Sequence, residues 1–257
     1  MLSKRRVKGN LDTRNYESDY LELPFENTLR EFRKMNIHKA LNKYPHKKII
    51  EIGCGPSPIF SEFFDFDKMF VVEPGKMFSD MAKDLAKSNP DIIVINEFIE
   101  NAATALQHES FDFIIIGGFL HETKKPDSVL QSIRKLSSQN TIIYSFVPNA
   151  KSFHRLLAYE MGIIGSIYHK SDHDILFQRQ NVYDIDGFNE LLKRNNFNVI
   201  ESGSYFIKPF THDQMKKNLG LGIIDHSVLE GLDRMIKYLP EHGSEIWNIS
   251  KKNDKIS

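Results

Sequence analysis

The sequence predicts an α/β fold: a doubly wound, mostly parallel sheet of seven strands with helices on both faces. Two observations carry this. Short apolar runs alternate with segments whose apolar residues recur at helical spacing, the pattern of parallel strands joined by covering helices. The first run, Lys48-Ile49-Ile50-Glu51-Ile52, breaks into Gly53-Cys54-Gly55, and about 20 residues on a second run, Met69-Phe70-Val71-Val72, ends at Glu73.

Taken in order, Leu29, Phe32, Ala40, Leu41 and Tyr44 mark a leading helix over residues 27–44, before the first strand at 48–52. Met77 to Ala86 forms the helix after strand two. Asp91 to Phe98 is the third strand, and Phe111 to Glu122 the fourth strand with the loop after it. Pro126 suits a first helical turn, and Val129, Leu130, Ile133 and Leu136 then make one apolar stripe. Thr141 to Val147 is the fifth strand, and Phe188, Leu191 and Leu192 mark another helix. Val199 to Ile207 is the sixth strand. Residues 212–239 read as helical with a break at Gly220–Gly222, and residues 244–249 as the last strand. The longest added segment is residues 149–180, between strand five and its next helix.

Composition sets bounds. The 257 residues are 40% hydrophobic, enough for a substantial core. Lys plus Arg equals Asp plus Glu at 34 each, so no global field draws in nucleic acid. One cysteine excludes an intrachain disulfide framework and a Cys-rich zinc site, which suits a reducing cytoplasm. No apolar stretch is long enough for a membrane span. No apolar segment follows Lys4, Arg5, Arg6 and Lys8, so this stretch reads as a solvated tail rather than a secretory signal.

The chemistry begins at the glycine turn. Side chains at Gly53 and Gly55 would block a ligand laid against the backbone. Glu51 sits where it can reach the amino-acid end of such a ligand, and Glu73 stands where an acid accepts hydrogen bonds from the ribose hydroxyls of an adenosine. A dinucleotide turn would place a third glycine or alanine three residues after the second; Pro56, Ser57 and Pro58 follow instead.

On these motifs the chain resembles the class I S-adenosylmethionine-dependent methyltransferases, whose first motif is acidic-x-Gly-x-Gly and whose second strand ends in an acid. The resemblance covers residues 45–150 well and the rest more loosely. It implies a Rossmann-like sheet and S-adenosylmethionine as cofactor, held by Glu51, Gly53, Cys54 and Gly55, then by Glu73 and Pro74. It further implies that Glu97, with Phe98 beside it, meets the adenine amino group; Glu100 competes for that role. Gly117 begins the loop that faces the reacting methyl. Tyr16 and Tyr20 belong to an N-terminal helical lid over residues 1–45, with the catalytic domain at 46–257. Cys54 fits by its small size, and both tyrosines fit simple packing as well.

The segment 149–180, together with Lys208-Pro209-Phe210, resembles a branch found with bacterial capsule and O-antigen biosynthesis, whose members methylate sugars or small polar precursors. A hydroxyl acceptor must lose a proton, and histidine is the readiest base at neutral pH. His121, after strand four, is the first candidate and His154 the second; packing roles are the alternative for both. Arg155 can hold a phosphate or carboxylate, and Asn149 can orient a hydroxyl. His173, four residues after His169 and flanked by Asp172 and Asp174, belongs to a polar substrate-side loop in preference to a metal site. An Asn/Asp-Pro-Pro-aromatic turn of base-directed enzymes is absent after strand four. The expectation is cytoplasmic O-methylation of a small, anionic sugar-type acceptor. N-methylation of an amine, methylation of a quinone or lipid-like metabolite, and non-catalytic cofactor binding are the alternatives. Oligomeric state is left open.

Overall fold

The structure is a computed structural model that describes residues 13–170, 174–175, 177 and 179–253. The basic stretch at residues 4–8 and His173 lie outside the described residues.

The carboxyl ends of all strands but β7 point to one end of a seven-stranded sheet of order β3-β2-β1-β4-β5-β7-β6. The strands are β1 Lys48–Ile52, β2 Lys68–Val72, β3 Ile92–Ile95, β4 Phe113–Ile116, β5 Ile142–Pro148, β6 Phe197–Tyr205 and β7 Glu245–Lys252. β7 runs antiparallel to both its neighbours, β5 and β6, and the other pairs are parallel. The near-continuous apolar runs of β1, β2 and β4 are what a strand buried on both faces requires.

Alternation along those strands sorts the core into two layers. Ile50, Ile52, Phe70, Val72, Ile114 and Ile116 face α4 (Ile99–Ala105), α5 (Pro126–Leu136) and α7 (Ile185–Arg194). Ile49, Met69, Val71, Phe113 and Ile115 face α2 (Glu26–Lys43) and α3 (Lys76–Ala86). A third cluster joins Phe25, Leu29 and Phe32 to Tyr205, Phe206, Met215 and Leu229, which seats α8 (His212–Gly220) and α9 (His226–Arg234) beside α2. Strand pairing and helix cover thus match the expected fold. The break expected at Gly220–Gly222 separates α8 from α9.

Three helices were not expected as separate elements. α1 (Thr13–Leu21) packs on α3, α4 is a single short Ala-rich element, and α6 (Phe153–Glu160) lies inside the added segment. α6 buries none of its residues, so its sequence carries no core stripe. Among the described residues, no helix is long and apolar enough to cross a membrane.

Candidate active site

A cavity of about 450 Å³ opens beyond the carboxyl ends of β1, β2, β4 and β5, where ligands lie in open α/β sheets. Gly53 and Gly55 both sit in the left-handed region (φ 77° and 57°), which turns the backbone of this loop toward the cavity without side chains. Gly117 lets the tip of β4 close on β1: a Cβ there would stand 1.9 Å from the Gly53 carbonyl oxygen.

Two buried acids organise the turn. The Glu51 carboxylate accepts a hydrogen bond from the Ile59 N–H at 2.9 Å. The Glu73 carboxylate accepts from Gly55 N–H at 3.0 Å and Gly75 N–H at 2.8 Å, and so ties the first turn to the end of β2. Burial pushes both carboxyls up to about 7, against the pull of those backbone donors. Pro74 lines the cavity beside them. Cys54 also lines it, but burial and the two acids push its thiol well up, so it fits by size and not as a nucleophile.

The adenine-side expectation divides. Phe98 is on the cavity wall, and so is Glu100, while Glu97 is not. Glu97 turns back to accept from Phe98 N–H at 2.8 Å and from Asn101 Nδ2 at 3.0 Å, at the start of α4. Glu97 thus serves the start of α4, and Glu100 faces the cavity.

Tyr16 and Tyr20 line the cavity with stacked rings 5.8 Å apart. Between them, Glu17 accepts from Phe78 N–H at 2.9 Å, which fixes α1 onto the first turn of α3. Tyr16 donates to Glu122 at 2.9 Å and Tyr20 to Glu26 at 2.6 Å.

His121 and Glu122 follow β4, with Glu122 against the Tyr16 hydroxyl. His121 Nε2 lies 3.5 Å from a Glu122 carboxylate oxygen. Burial, with help from Arg179, holds the imidazole well below its usual range, and burial pushes the Glu122 carboxyl up to about 7. His154 also lines the cavity and is likewise held low, by burial and then by Lys208, His212 and Arg155. The charges acting on His121 are instead Arg179, Asp174 and Arg33.

Two acceptor-side expectations meet a different geometry. Asn149 lines the cavity, yet its amide nitrogen donates to Glu241 O (2.8 Å) and Gly243 O (2.9 Å), and its oxygen accepts from Lys151 N–H (2.9 Å). Both its N–H groups are spent stapling β5 to the turn before β7. Arg155 donates to Ile167 O at 3.1 and 2.8 Å and to His169 O, and contacts Asp174 at 3.4 Å. Its fork braces the backbone at Ile167 and His169. His173, expected in a polar substrate-side loop, lies outside the described residues.

Several wall residues carry no local sequence signal. Arg33 bonds Glu26 (3.0 Å), Glu245 (3.0 Å) and Tyr20 (3.4 Å); Arg179 bonds Asp174 (2.8 Å); Lys208 meets His212 at 3.0 Å. Arg33 is one charge among many on a helix, and Glu122 was hidden beside the more conspicuous His121. Lys208 had been noted only within a motif.

A family model described as a methyltransferase domain matches residues 25–202, well over half of the chain. The chain belongs to that family. This methyltransferase uses S-adenosylmethionine. No curated protein matches it significantly in sequence. Among solved structures it is similar to the plantazolicin methyltransferase BamL, in complex with a triazolic desmethylPZN analog and SAH (TM-score 0.60, 15% identity, covering 93% of this chain and 90% of that one). It is also similar to a SAM-dependent methyltransferase from Archaeoglobus fulgidus (TM-score 0.55, 13% identity, 87% and 94% covered). A third likeness is to a possible histamine N-methyltransferase from Thermotoga maritima (TM-score 0.54, 15% identity, 89% and 98% covered). At such identities the likeness is one of fold. The methyltransferase cavity itself fits the cofactor: glycine turns free of side chains, a close β1–β4 approach, and a buried acid at the tip of β2.

Proposed function

We propose that this methyltransferase acts on a hydroxyl of a small polar acceptor, such as a sugar, a sugar nucleotide or a phosphorylated precursor of surface polysaccharide. One observation supports the polar acceptor above all. Five buried polar atoms on the cavity wall have no partner within the described protein: both ring nitrogens of His121, His154 Nδ1, Arg179 Nε and Ser244 Oγ. Such groups are costly to bury unmatched, so a ligand bearing hydroxyls or anions suits the wall and a quinone or lipid tail does not.

Bound S-adenosylmethionine supplies a methyl group activated by its sulfonium. In our reading Glu73 holds the ribose hydroxyls, and Glu51 with the Gly53–Gly55 backbone holds the amino-acid end. Tyr16 and Tyr20 close the cavity and exclude water. His121, uncharged at neutral pH, takes the hydroxyl proton, and the Glu122 carboxylate beside Nε2 stabilises the imidazolium that forms. Positioning the acceptor in line with the methyl group does the remaining work. The cytoplasm, where cofactor and such precursors meet, is the proposed location.

Methyl-deuterated S-adenosylmethionine, incubated with the protein and separate panels of sugar nucleotides, sugar phosphates, amines and quinols, tests this by mass spectrometry. Label on an oxygen of the polar panels is expected. Label confined to amines or quinols sinks the proposal.

A further inference from the structure

Lys208 is only 2% exposed and lines the methyltransferase cavity. A buried ammonium normally has a carboxylate partner. Among the described residues Lys208 has no ion pair, and its one hydrogen-bond partner is His212 Nδ1 at 3.0 Å, itself a nitrogen. The carboxylates whose charge reaches it, Glu26 and Glu245, are each already bonded to Arg33. His154, whose Nδ1 is buried without a partner, lies within the field of both Lys208 and His212 and lines the same cavity. Three nitrogen side chains therefore share one end of the cavity, and Lys208 has no carboxylate bonded to it among the described residues. Burial brings the Lys208 ammonium down to about 7, the response of a cation left without a counter-charge.

The topology separates this cluster from the cofactor turn. Gly53, Gly55 and Glu73 stand at the tips of β1 and β2, whereas His154 follows β5 and Lys208 follows β6, the far edge strand. At about 4.8 Å per strand, β1 and β6 are roughly 19 Å apart at sheet level. The cluster therefore belongs to the β5–β7–β6 side of the sheet and the cofactor turn to the β1–β2 side.

We propose that Lys208, His212 and His154 form an anion subsite that binds a phosphate or carboxylate carried by the acceptor, at the end remote from its methylated oxygen. The proposal rests on the methyl-transfer reading of the cavity and narrows its substrate class to acceptors with an anionic group. The anion supplies the missing counter-charge of Lys208 and accepts hydrogen bonds from the lysine and from an imidazole N–H.

The test is calorimetric titration of the full chain, saturated with S-adenosylhomocysteine, by inorganic phosphate and separately by malonate. Lys208→Met and His212→Gln are titrated in parallel. Saturation by S-adenosylhomocysteine is established first in every variant; its absence in the wild-type protein refutes the cofactor reading, separately from the subsite. The expected result is binding of one of the two anions to the wild type, weakened at least tenfold in Lys208→Met, with S-adenosylhomocysteine affinity within twofold of wild type. Preference for phosphate assigns a phosphorylated acceptor, and preference for malonate a carboxylated one. Binding of neither anion, or binding indifferent to Lys208→Met, overturns the subsite. Should Lys208→Met fail to fold, His212→Gln carries the same readings.

Discussion

Three carboxylates, Glu51, Glu73 and Glu122, line the cavity, and burial pushes each up to about 7. A raised carboxyl binds more protons folded than unfolded between its ordinary value and about 7, so its ionisation opposes folding increasingly as pH rises through that window. Glu122→Gln removes this cost. The variant should match wild type in stability near pH 5 and exceed it above pH 7, by up to about 3 kcal/mol, as read by urea unfolding at the two pH values. Activity should move the other way. Since His121 is held low and stays uncharged, the wild-type rate should rise as Glu122 ionises through about 7, and Glu122→Gln should flatten that rise in the pH–rate profile. Glu73→Ala should weaken S-adenosylhomocysteine binding roughly 10- to 100-fold by calorimetry, the loss of hydrogen bonds to a charged group. Of these acids, Glu51 and Glu73 were legible in the sequence because each occupies a strand-end position with a stated job. Glu122 was not, because nothing local marks it; its raised carboxyl comes from burial, against the pull of Arg179 and the Tyr16 hydroxyl.

Helix α3 begins at Gly75 with no side-chain cap of its own, and Glu17 of α1 takes one of its free N–H groups instead. Glu17→Ala should therefore cost about 1 kcal/mol in urea unfolding. It should also raise amide exchange at both α1 and the first turn of α3; exchange raised in α3 alone would show that Glu17 does not tether α1. At the β1–β4 contact, Gly117→Ala sets a methyl against the Gly53 carbonyl, and should destabilise by roughly 1–3 kcal/mol while abolishing S-adenosylhomocysteine binding. Elements with an apolar stripe or run, such as α2, α5 and all seven strands, could be read from periodicity. α6 could not, since it sends no apolar residue into the core, and α4 is too short to show a period. The missed start of α4 is also why Glu97, which serves that helix start, was placed toward the adenine ahead of Glu100.

Arg33 joins distant parts of the molecule: Glu26 and Tyr20 at the N-terminal side, and Glu245 at the start of β7, which also receives the Tyr205 hydroxyl. Removing one member of a buried charged network leaves the others unmatched. Arg33→Met should accordingly lower stability by roughly 3–5 kcal/mol in thermal unfolding, with the loss of cofactor binding following from the displaced α2 wall. A melting point unchanged from wild type would show that the network holds nothing together.

From its sequence alone this protein determined its fold class, its strands and the cofactor turn. These depend on residues close together in the chain: an apolar run, two glycines and an acid at a strand end. Only the tertiary structure decided the composition of the acceptor wall. Arg33, Glu122, Arg179, Lys208 and Glu245 come from five separate segments, and each is an ordinary surface residue type until folding buries it. It also decided that Asn149 and Arg155 are occupied by backbone partners, because whether a polar group is free for a ligand depends on neighbours that no local pattern encodes.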